Sequence, residues 1–248
     1  MESFFAWFRW LYDETGINLP FLYDSYDRAR MLSGFYTTVW LSAICLFFSV
    51  IIGIVGAWLQ GSPYKWTRRI VNGYIQFFRN TPPLVQLYFF YFAISSLLPQ
   101  VTTEYGGSAP LIGNVAWAII SLSFFAGAFN VEIFRSGIDA VPQSTVEAAN
   151  SLGFTRLQIY RYVTLPLAMR VALPALNNNL VNLVKTTTLA YAIAVPEMLY
   201  VANQIWSDNV NVPEMMVLLL ISYIALVGVL VWAMNTWERK LKIPGFGT

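Results

Sequence analysis

The sequence predicts an all-α integral membrane protein of about five transmembrane helices, with its N-terminus outside and its C-terminus inside. Three observations carry this. Of 248 residues, 57% are hydrophobic and only 11% charged, under half the charge of an ordinary soluble domain. The hydrophobic residues collect in long uncharged runs that exceed the roughly 20 residues needed to cross about 30 Å of hydrocarbon. The basic residues of the connecting segments all fall on one side of those runs. A β-barrel is excluded, because barrel strands alternate lipid-facing and lumen-facing residues and these runs do not.

Residues 1–33 form an N-terminal extracytoplasmic segment. Its apolar stretch Met1–Tyr12 is too short to span and is interrupted by Arg9. It lacks a small-residue cleavage site and so is no signal peptide. Its Trp and Tyr suit a helix lying in the outer interface. The first uncharged run, Met31–Tyr64 (34 residues), has an apolar heart from Phe35 to Leu59. Asn80–Thr103 (24) and Tyr105–Val131 (27) follow, and Met215–Trp237 (23) comes last. Between them Val171–Pro196 is interrupted by a single charge, Lys185, and completes five spans. Together these make one transmembrane domain, residues 34–242, followed by a short cytoplasmic tail at 243–248.

Loop charge sets the direction. Lys65, Arg68, Arg69 and Arg79 follow the first run, Arg135, Arg156, Arg161 and Arg170 lie between the third and fourth, and Arg239, Lys240 and Lys242 end the last. The opposite loops, Gln100–Pro110 and Glu197–Glu214, contain no Lys or Arg. The positive-inside rule places the basic loops in the cytoplasm.

Composition also excludes whole classes of function. With no His and one Cys, Cys45, neither a His or multi-Cys metal site nor a disulfide framework can form. The dipeptide Gly-Lys never occurs, so there is no P-loop. A net charge of +2 does not suit a nucleic-acid binder. No catalytic residues are expected, and no cofactor bound by this chain.

The inner loop between the third and fourth runs is the richest part of the sequence. Pro142 followed by Gln143-Ser144-Thr145 reads as a helix start, with Ser144 as N-cap and Glu147 three residues on, the spacing of a capping box. Ala148 and Ala149 are small enough for another backbone to approach. Gly153 fits the left-handed residue that stops such a helix. The chain climbs again over Leu157–Val163, and Leu165-Pro166 is expected to break it. On periodicity alone, a surface helix–turn–helix explains the segment equally well.

The spacing adds more. Glu147-Ala148-Ala149, three residues, Gly153, nine residues, Val163, one residue, and Leu165-Pro166 resembles the EAA signature of permease subunits of bacterial ABC importers, with Val for the usual Ile. Phe78–Gln86 (FRNTPPLVQ) resembles the motif that opens the second span in polar amino-acid permeases. Glu132–Ile138 (EIFRSGI), Asn182–Leu189 (NLVKTTTL) and Val195-Pro196-Glu197 are similar to further segments of that histidine/glutamine/glutamate-type family. The resemblance covers the chain from about Phe35 to Lys242.

It implies a type I ABC importer permease fold in the bacterial inner (plasma) membrane. A coupling helix at about 143–153, with Glu147, Ala148, Ala149 and Gly153, would dock on a cytoplasmic ATPase dimer that binds ATP and Mg2+. A second permease subunit, identical or homologous, and a periplasmic or extracellular amino-acid-binding protein would complete the importer. Polar amino acids would then cross by alternating access. Glu147 would either cap its own helix or contact the ATPase.

The fourth span carries the polar constellation. Asn178, Asn179, Asn182, Lys185 and Thr186 fall at offsets 0, 1, 4, 7 and 8, one face of a helix. An ammonium inside the bilayer costs from about 2.5 kcal/mol upward, so it faces a cavity or a partner. Lys185 could hold an amino acid's carboxylate while the Asn and Thr groups sort the rest. The competing reading is an ion pair with Glu132 or a partner chain, and Asn side chains that join helices. The run Thr186-Thr187-Thr188 has poor helix propensity and suits an unwound segment. Many relatives carry an acid where Asn179 stands, and often Asp where Thr186 stands. Their loss implies a neutral or acidic substrate, or carboxylates supplied by a different permease subunit. Thr81, Pro82 and Pro83 mark a gate-like kink or an ordinary first helical turn.

Two other functions compete. An ion-coupled secondary transporter is disfavoured because the runs hold no His, Asp or Glu to relay protons. A non-transporting membrane scaffold leaves the inner loop unexplained.

Overall fold

Apolar residues at helical spacing and long uncharged runs leave little room for anything but helix, and a computed structural model follows that expectation. It describes residues 2–102 and 107–241. The expected tail at 243–248 and Lys242 lie outside the described residues. In chain order the helices are α1 (Glu2–Thr15), α2 (Pro20–Tyr23), α3 (Ser25–Gln60), α4 (Lys65–Asn80) and α5 (Pro83–Tyr88). After them come α6 (Asn114–Asp139), α7 (Gln143–Ser151), α8 (Arg156–Ile159), α9 (Leu165–Thr186), α10 (Met198–Asn209) and α11 (Val212–Leu241). Between α5 and α6 a two-stranded antiparallel ribbon pairs β1 (Gln100–Thr102) with β2 (Ser108–Pro110).

Among the described residues, three helices are long and apolar enough to cross a membrane: Ser25–Gln60, Asn114–Asp139 and Val212–Lys240. Pro83–Leu97 is a shorter apolar helical stretch. Helix α9 is interrupted in composition by four asparagines, Arg170 and Lys185, which lowers its hydropathy below that of an ordinary span.

The chain divides into two compact units, and α3, α6, α9 and α11 each contribute residues to both. Unit 1 comprises 1–44, 87–120 and 184–228; unit 2 comprises 45–86, 121–183 and 229–248. In unit 1 the core joins Met31 of α3, Met198, Val201, Ala202 and Ile205 of α10, and Met215 and Leu219 of α11. In unit 2 it joins Ala57 of α3, Val71 and Ile75 of α4, Val131 and Phe134 of α6, and Leu173, Leu176 and Leu180 of α9.

Small residues set the helix spacing in unit 2. A Cβ at Gly137 of α6 would lie 2.6 Å from the Ala168 carbonyl oxygen of α9 and 2.9 Å from the Ala172 Cβ. Such backbone proximity is the usual basis of helix association in bilayers, where lipid is as apolar as leucine. Gly137→Val is therefore expected to lower the thermal midpoint of the purified protein by overpacking of about 1–3 kcal/mol. An unchanged midpoint would show that α6 and α9 can separate freely.

Two helices depart from the sequence expectation. The basic segment after the first span is the amphipathic helix α4, which buries Val71, Ile75 and Phe78. Its charges hid it from a search for uncharged runs, although positions 71, 75 and 78 repeat at helical spacing. The outer segment 197–214, expected as a loop, contains α10. Glu197 caps that helix, accepting hydrogen bonds from the amides of Leu199 and Tyr200.

Candidate functional site

The inner segment forms a short helix pair in unit 2. Helix α7 opens at Pro142 with no side-chain cap, so the expected capping box on Ser144 and Glu147 does not form. Proline at that position supplies a fixed φ, and the capping box appears instead one helix later. There the Thr155 side chain accepts from the Gln158 amide while the Gln158 side chain accepts from the Thr155 amide. Freed from capping, the Glu147 side chain is exposed, as is Ala148, while Ala149 is buried at 5% exposure.

The stop of α7 is as the sequence predicts. Gly153 has φ +83, and its amide donates to the Asn150 carbonyl while the Phe154 amide donates to that of Ala149. These two bonds are a Schellman motif, which only a residue tolerant of left-handed φ completes without strain. Nothing lies within 4 Å of a Cβ built at Gly153, so the constraint there is conformational and not steric.

Leu165-Pro166 does not break the chain. A π-helical turn at Tyr160–Thr164 joins α8 to α9, and the Leu165 amide donates to the Tyr160 carbonyl. The wider turn absorbs the missing proline N–H, and helix runs on. The result is a hairpin in which α7 is held at its C-terminal end by local hydrogen bonds and leaves Glu147 and Ala148 in the open.

The corner before α5 is also built from within unit 2. Helix α4 ends at Asn80, Thr81 is extended, and α5 starts at Pro83. Pro83 is thus an ordinary first-turn proline at a break between two helices, and not a kink within one. Gln86, 2% exposed, latches the corner. Its Nε2 donates to the Phe78 carbonyl at 2.8 Å, the Thr81 carbonyl at 2.9 Å and Thr81 Oγ1 at 2.6 Å. Thr81 Oγ1 in turn donates to the Phe77 carbonyl at 2.7 Å. In the sequence Gln86 is one residue of the Phe78–Gln86 motif with no role of its own, and an amide six residues past the end of α4 was the available signal.

Two segments read separately in the sequence meet here. Arg79, at the end of α4, forms an ion pair with Glu132 of α6 and lies 5.4 Å from the Phe129 ring centroid. Glu132 is thus engaged by Arg79, and of the two partners that the competing reading offered Lys185, Glu132 or a second chain, Glu132 is not the one. Arg135 pairs within α6 with Asp139 at 2.9 Å.

The polar face of α9 is divided. Asn179 turns toward α6, where its Nδ2 donates to the Ala126 carbonyl at 3.0 Å and to Asn130 Oδ1 at 2.8 Å. Asn130 Nδ2 continues to Ser49 Oγ of α3 at 3.3 Å. These bonds tie three helices of unit 2 together, so Asn179 joins helices. Asn178 and Asn182 are exposed on α9, and so is Lys185 in its last turn. Among the described residues no acid pairs with the Lys185 ammonium.

After Thr186 the helix tightens into a 3-10 segment, Thr187–Ile193, that ends at Ala194 in the left-handed region. Thr187 is buried and bonds back to the Val184 carbonyl at 2.7 Å. The threonine run therefore marks a change of helix geometry. In unit 1, Asn114 at the start of α6 holds the end of that segment, donating to the carbonyls of Ile193 (3.1 Å) and Ala194 (2.8 Å). Glu197 follows, fully buried, and Tyr223 of α11 donates to its Oε2 at 3.0 Å. Burial pushes the Glu197 carboxyl up to about 7, against the opposing effect of the Leu199 and Tyr200 amides and the Tyr223 hydroxyl. Thr38 of α3 accepts from the Met198 amide at 2.9 Å. The Val-Pro-Glu segment is thereby a structural joint among α3, α10 and α11.

Among the described residues no group of three or more His, Cys, Asp or Glu could hold a metal.

Comparison with known proteins bears on these surfaces. Residues 49–243 match the family model described as binding-protein-dependent transport system inner membrane component. The chain is 30% identical over 228 residues to a probable amino-acid permease protein of Bacillus subtilis (strain 168), covering 89% of this chain and 98% of that one. It is 33% identical over 168 residues to a histidine/lysine/arginine/ornithine transport system permease protein of Escherichia coli (strain K12), covering 68% of this chain and 74% of the relative. Its fold is similar to a solved chain described as an amino acid ABC transporter with histidines, at a TM-score of 0.77 and 26% identity, over 90% of this chain and 99% of that one. These similarities favour the importer over the ion-coupled transporter and the scaffold. The chain belongs to the family of inner-membrane permease components of binding-protein-dependent ABC importers.

Proposed function

We propose that this chain carries polar amino acids into the cell, with five spans, the N-terminus outside and α7 in the cytoplasm. The exposed face of α7 docks in a groove on a cytoplasmic ATPase subunit, and closure of two such subunits supplies the force. The observation that carries this reading is the build of α7. It is a nine-residue helix fixed by a Schellman stop and a neighbouring capping box, with Glu147 and Ala148 presented outward. A lever must be rigid internally and free on one face, and this helix is both. Glu147 makes the contact to the ATPase, since its own helix does not use it as a cap.

On the translocation side, the exposed Asn178, Asn182 and Lys185 face the pathway or the second permease subunit. Thr186 and Thr187 set the change of helix geometry beside them, and the Thr81-Pro82-Pro83 corner, latched by Gln86, is the point about which the second span turns. Asn179 is removed from the substrate-contacting set, because its amide is committed to α6. The relatives' amino-acid names support the substrate class, and the exposed ammonium of Lys185 supports recognition of a carboxylate.

The experiment is co-purification with candidate ATPases and reconstitution into proteoliposomes. Amino-acid-loaded binding protein is expected to stimulate ATP hydrolysis several-fold above the unloaded form. Hydrolysis indifferent to loaded binding protein would sink the reading.

A further inference from the structure

Unit 2 holds a recess of about 230 Å³ between α9 and α11, bordering the polar face of α9 at Asn178. Pro174, Asn177 and Asn178 of α9 face Asn235 and Glu238 of α11 across it. Asn177 is 7% exposed, and its Nδ2 donates to Glu238 Oε2 at 3.0 Å. Its Oδ1 is buried and has no partner. No Lys or Arg lines the recess, and among the described residues Glu238 joins no ion pair.

The chemistry is one-sided. A buried amide oxygen left unmatched costs about 1–3 kcal/mol, and the half-buried Glu238 carboxylate beside it has no counter-charge among the described residues. Both ask for a donor, and the carboxylate asks for a positive one. One carboxylate with amide oxygens is a poor set for a divalent cation, which prefers several carboxylates or waters. A primary ammonium fits better. It carries one charge against one carboxylate, and its three N–H groups match Glu238, Asn177 Oδ1 and the side-chain oxygen of Asn235. Val181, Val231 and Met234 line the rest and suit a short carbon chain.

We infer that this recess binds the primary ammonium group of a small ligand, with Glu238 as its counter-charge and Asn177 as its second acceptor. The volume admits a headgroup-sized molecule, either the ethanolamine head of a phospholipid or a free amino acid.

The test uses the full chain in lipid nanodiscs, in two arms. In the first, native mass spectrometry compares lipids retained from phosphatidylethanolamine/phosphatidylglycerol discs with those retained from phosphatidylcholine/phosphatidylglycerol discs. In the second, glycine, glutamine and ethanolamine are titrated calorimetrically into ethanolamine-free discs. Saturable binding is expected in one arm, which identifies the source, and Glu238→Gln should weaken it about ten-fold or more, as loss of a charge-assisted bond does. Glutamine at 238 still accepts from Asn177, so the fold is retained and an unchanged thermal midpoint checks this. Asn177→Leu should weaken the same binding, whereas Glu238→Asp should retain part of it. Absence of binding in both arms, or wild-type binding by Glu238→Gln, overturns the inference. So does carbodiimide coupling of Glu238 to a lysine of a neighbouring chain, because the recess would then be filled by protein.

Discussion

Ala148→Arg is expected to lower binding-protein-stimulated ATP hydrolysis and uptake at least ten-fold while leaving membrane insertion at the wild-type level. Ala148 is exposed on α7, so a large charged side chain there meets solvent in the isolated chain. Arginine is a strong helix former, and the helix itself should be unaffected. Against a closely packed docking groove the same side chain must bury its charge or hold the surfaces apart, and either outcome removes well over 1.4 kcal/mol, the value of a ten-fold change in an equilibrium. Ala149, one position on and 5% exposed, is the contrasting site. Ala149→Arg should lower yield and thermal midpoint as well as coupling, because it disrupts the protein itself. Equal loss of insertion in both variants would show that α7 is structural and carries no partner. The readouts are ATPase assays in proteoliposomes and quantification of the inserted chain.

Lys185→Ala is expected to reduce uptake at least ten-fold and to leave thermal stability unchanged or slightly raised. The proposed five-span reading puts the Lys185 ammonium in the apolar region, which is unfavourable by about 2.5 kcal/mol or more, and no acid among the described residues offsets it. Removing it therefore relieves the chain, provided the charge serves only a passing ligand. Loss of transport with stability retained indicates contact with the substrate carboxylate. Loss of both would indicate an ion pair with a second chain. Transport within about two-fold of wild type would exclude Lys185 from the pathway, since charge-assisted bonds contribute roughly 1.5–3 kcal/mol. Lys185→Arg, which keeps the charge on a different geometry, should recover part of the uptake.

The membrane-embedded, helical character was legible because it rests on composition and uninterrupted length, which need no tertiary information. The stop of α7 at Gly153 was legible for a similar reason: a left-handed residue at the end of a short helix is a local demand. Ser144 failed as a cap because Pro142 already fixed the helix entry, and the sequence offered two overlapping start signals. Leu165-Pro166 failed as a break because a π-turn can absorb a proline, and that choice depends on how the following helix packs. The partners of Asn179, Glu132 and Gln86 were not legible at all. Each is a polar group whose role is set by what lies opposite it, and helical periodicity tells which residues share a face but not what that face meets. Helices α4 and α10 were missed because charged or polar residues on one side concealed apolar spacing on the other. The recess at Glu238 belongs to the same class, since it exists only where α9 and α11 come together.

Site-directed cross-linking tests whether the exposed face of α7 meets a cytoplasmic motor protein. Cys45 is buried at 0% exposure and is the only cysteine in the sequence. Glu147→Cys therefore introduces a single accessible thiol. With a short bifunctional maleimide and an ATPase subunit carrying an engineered cysteine in its surface groove, position 147 should form a cross-link that forms or breaks with ATP. A membrane-impermeant maleimide should label position 147 only from the cytoplasmic face. Labelling from the outer face, or no cross-link to the ATPase from position 147 or its neighbour 148, would contradict the account.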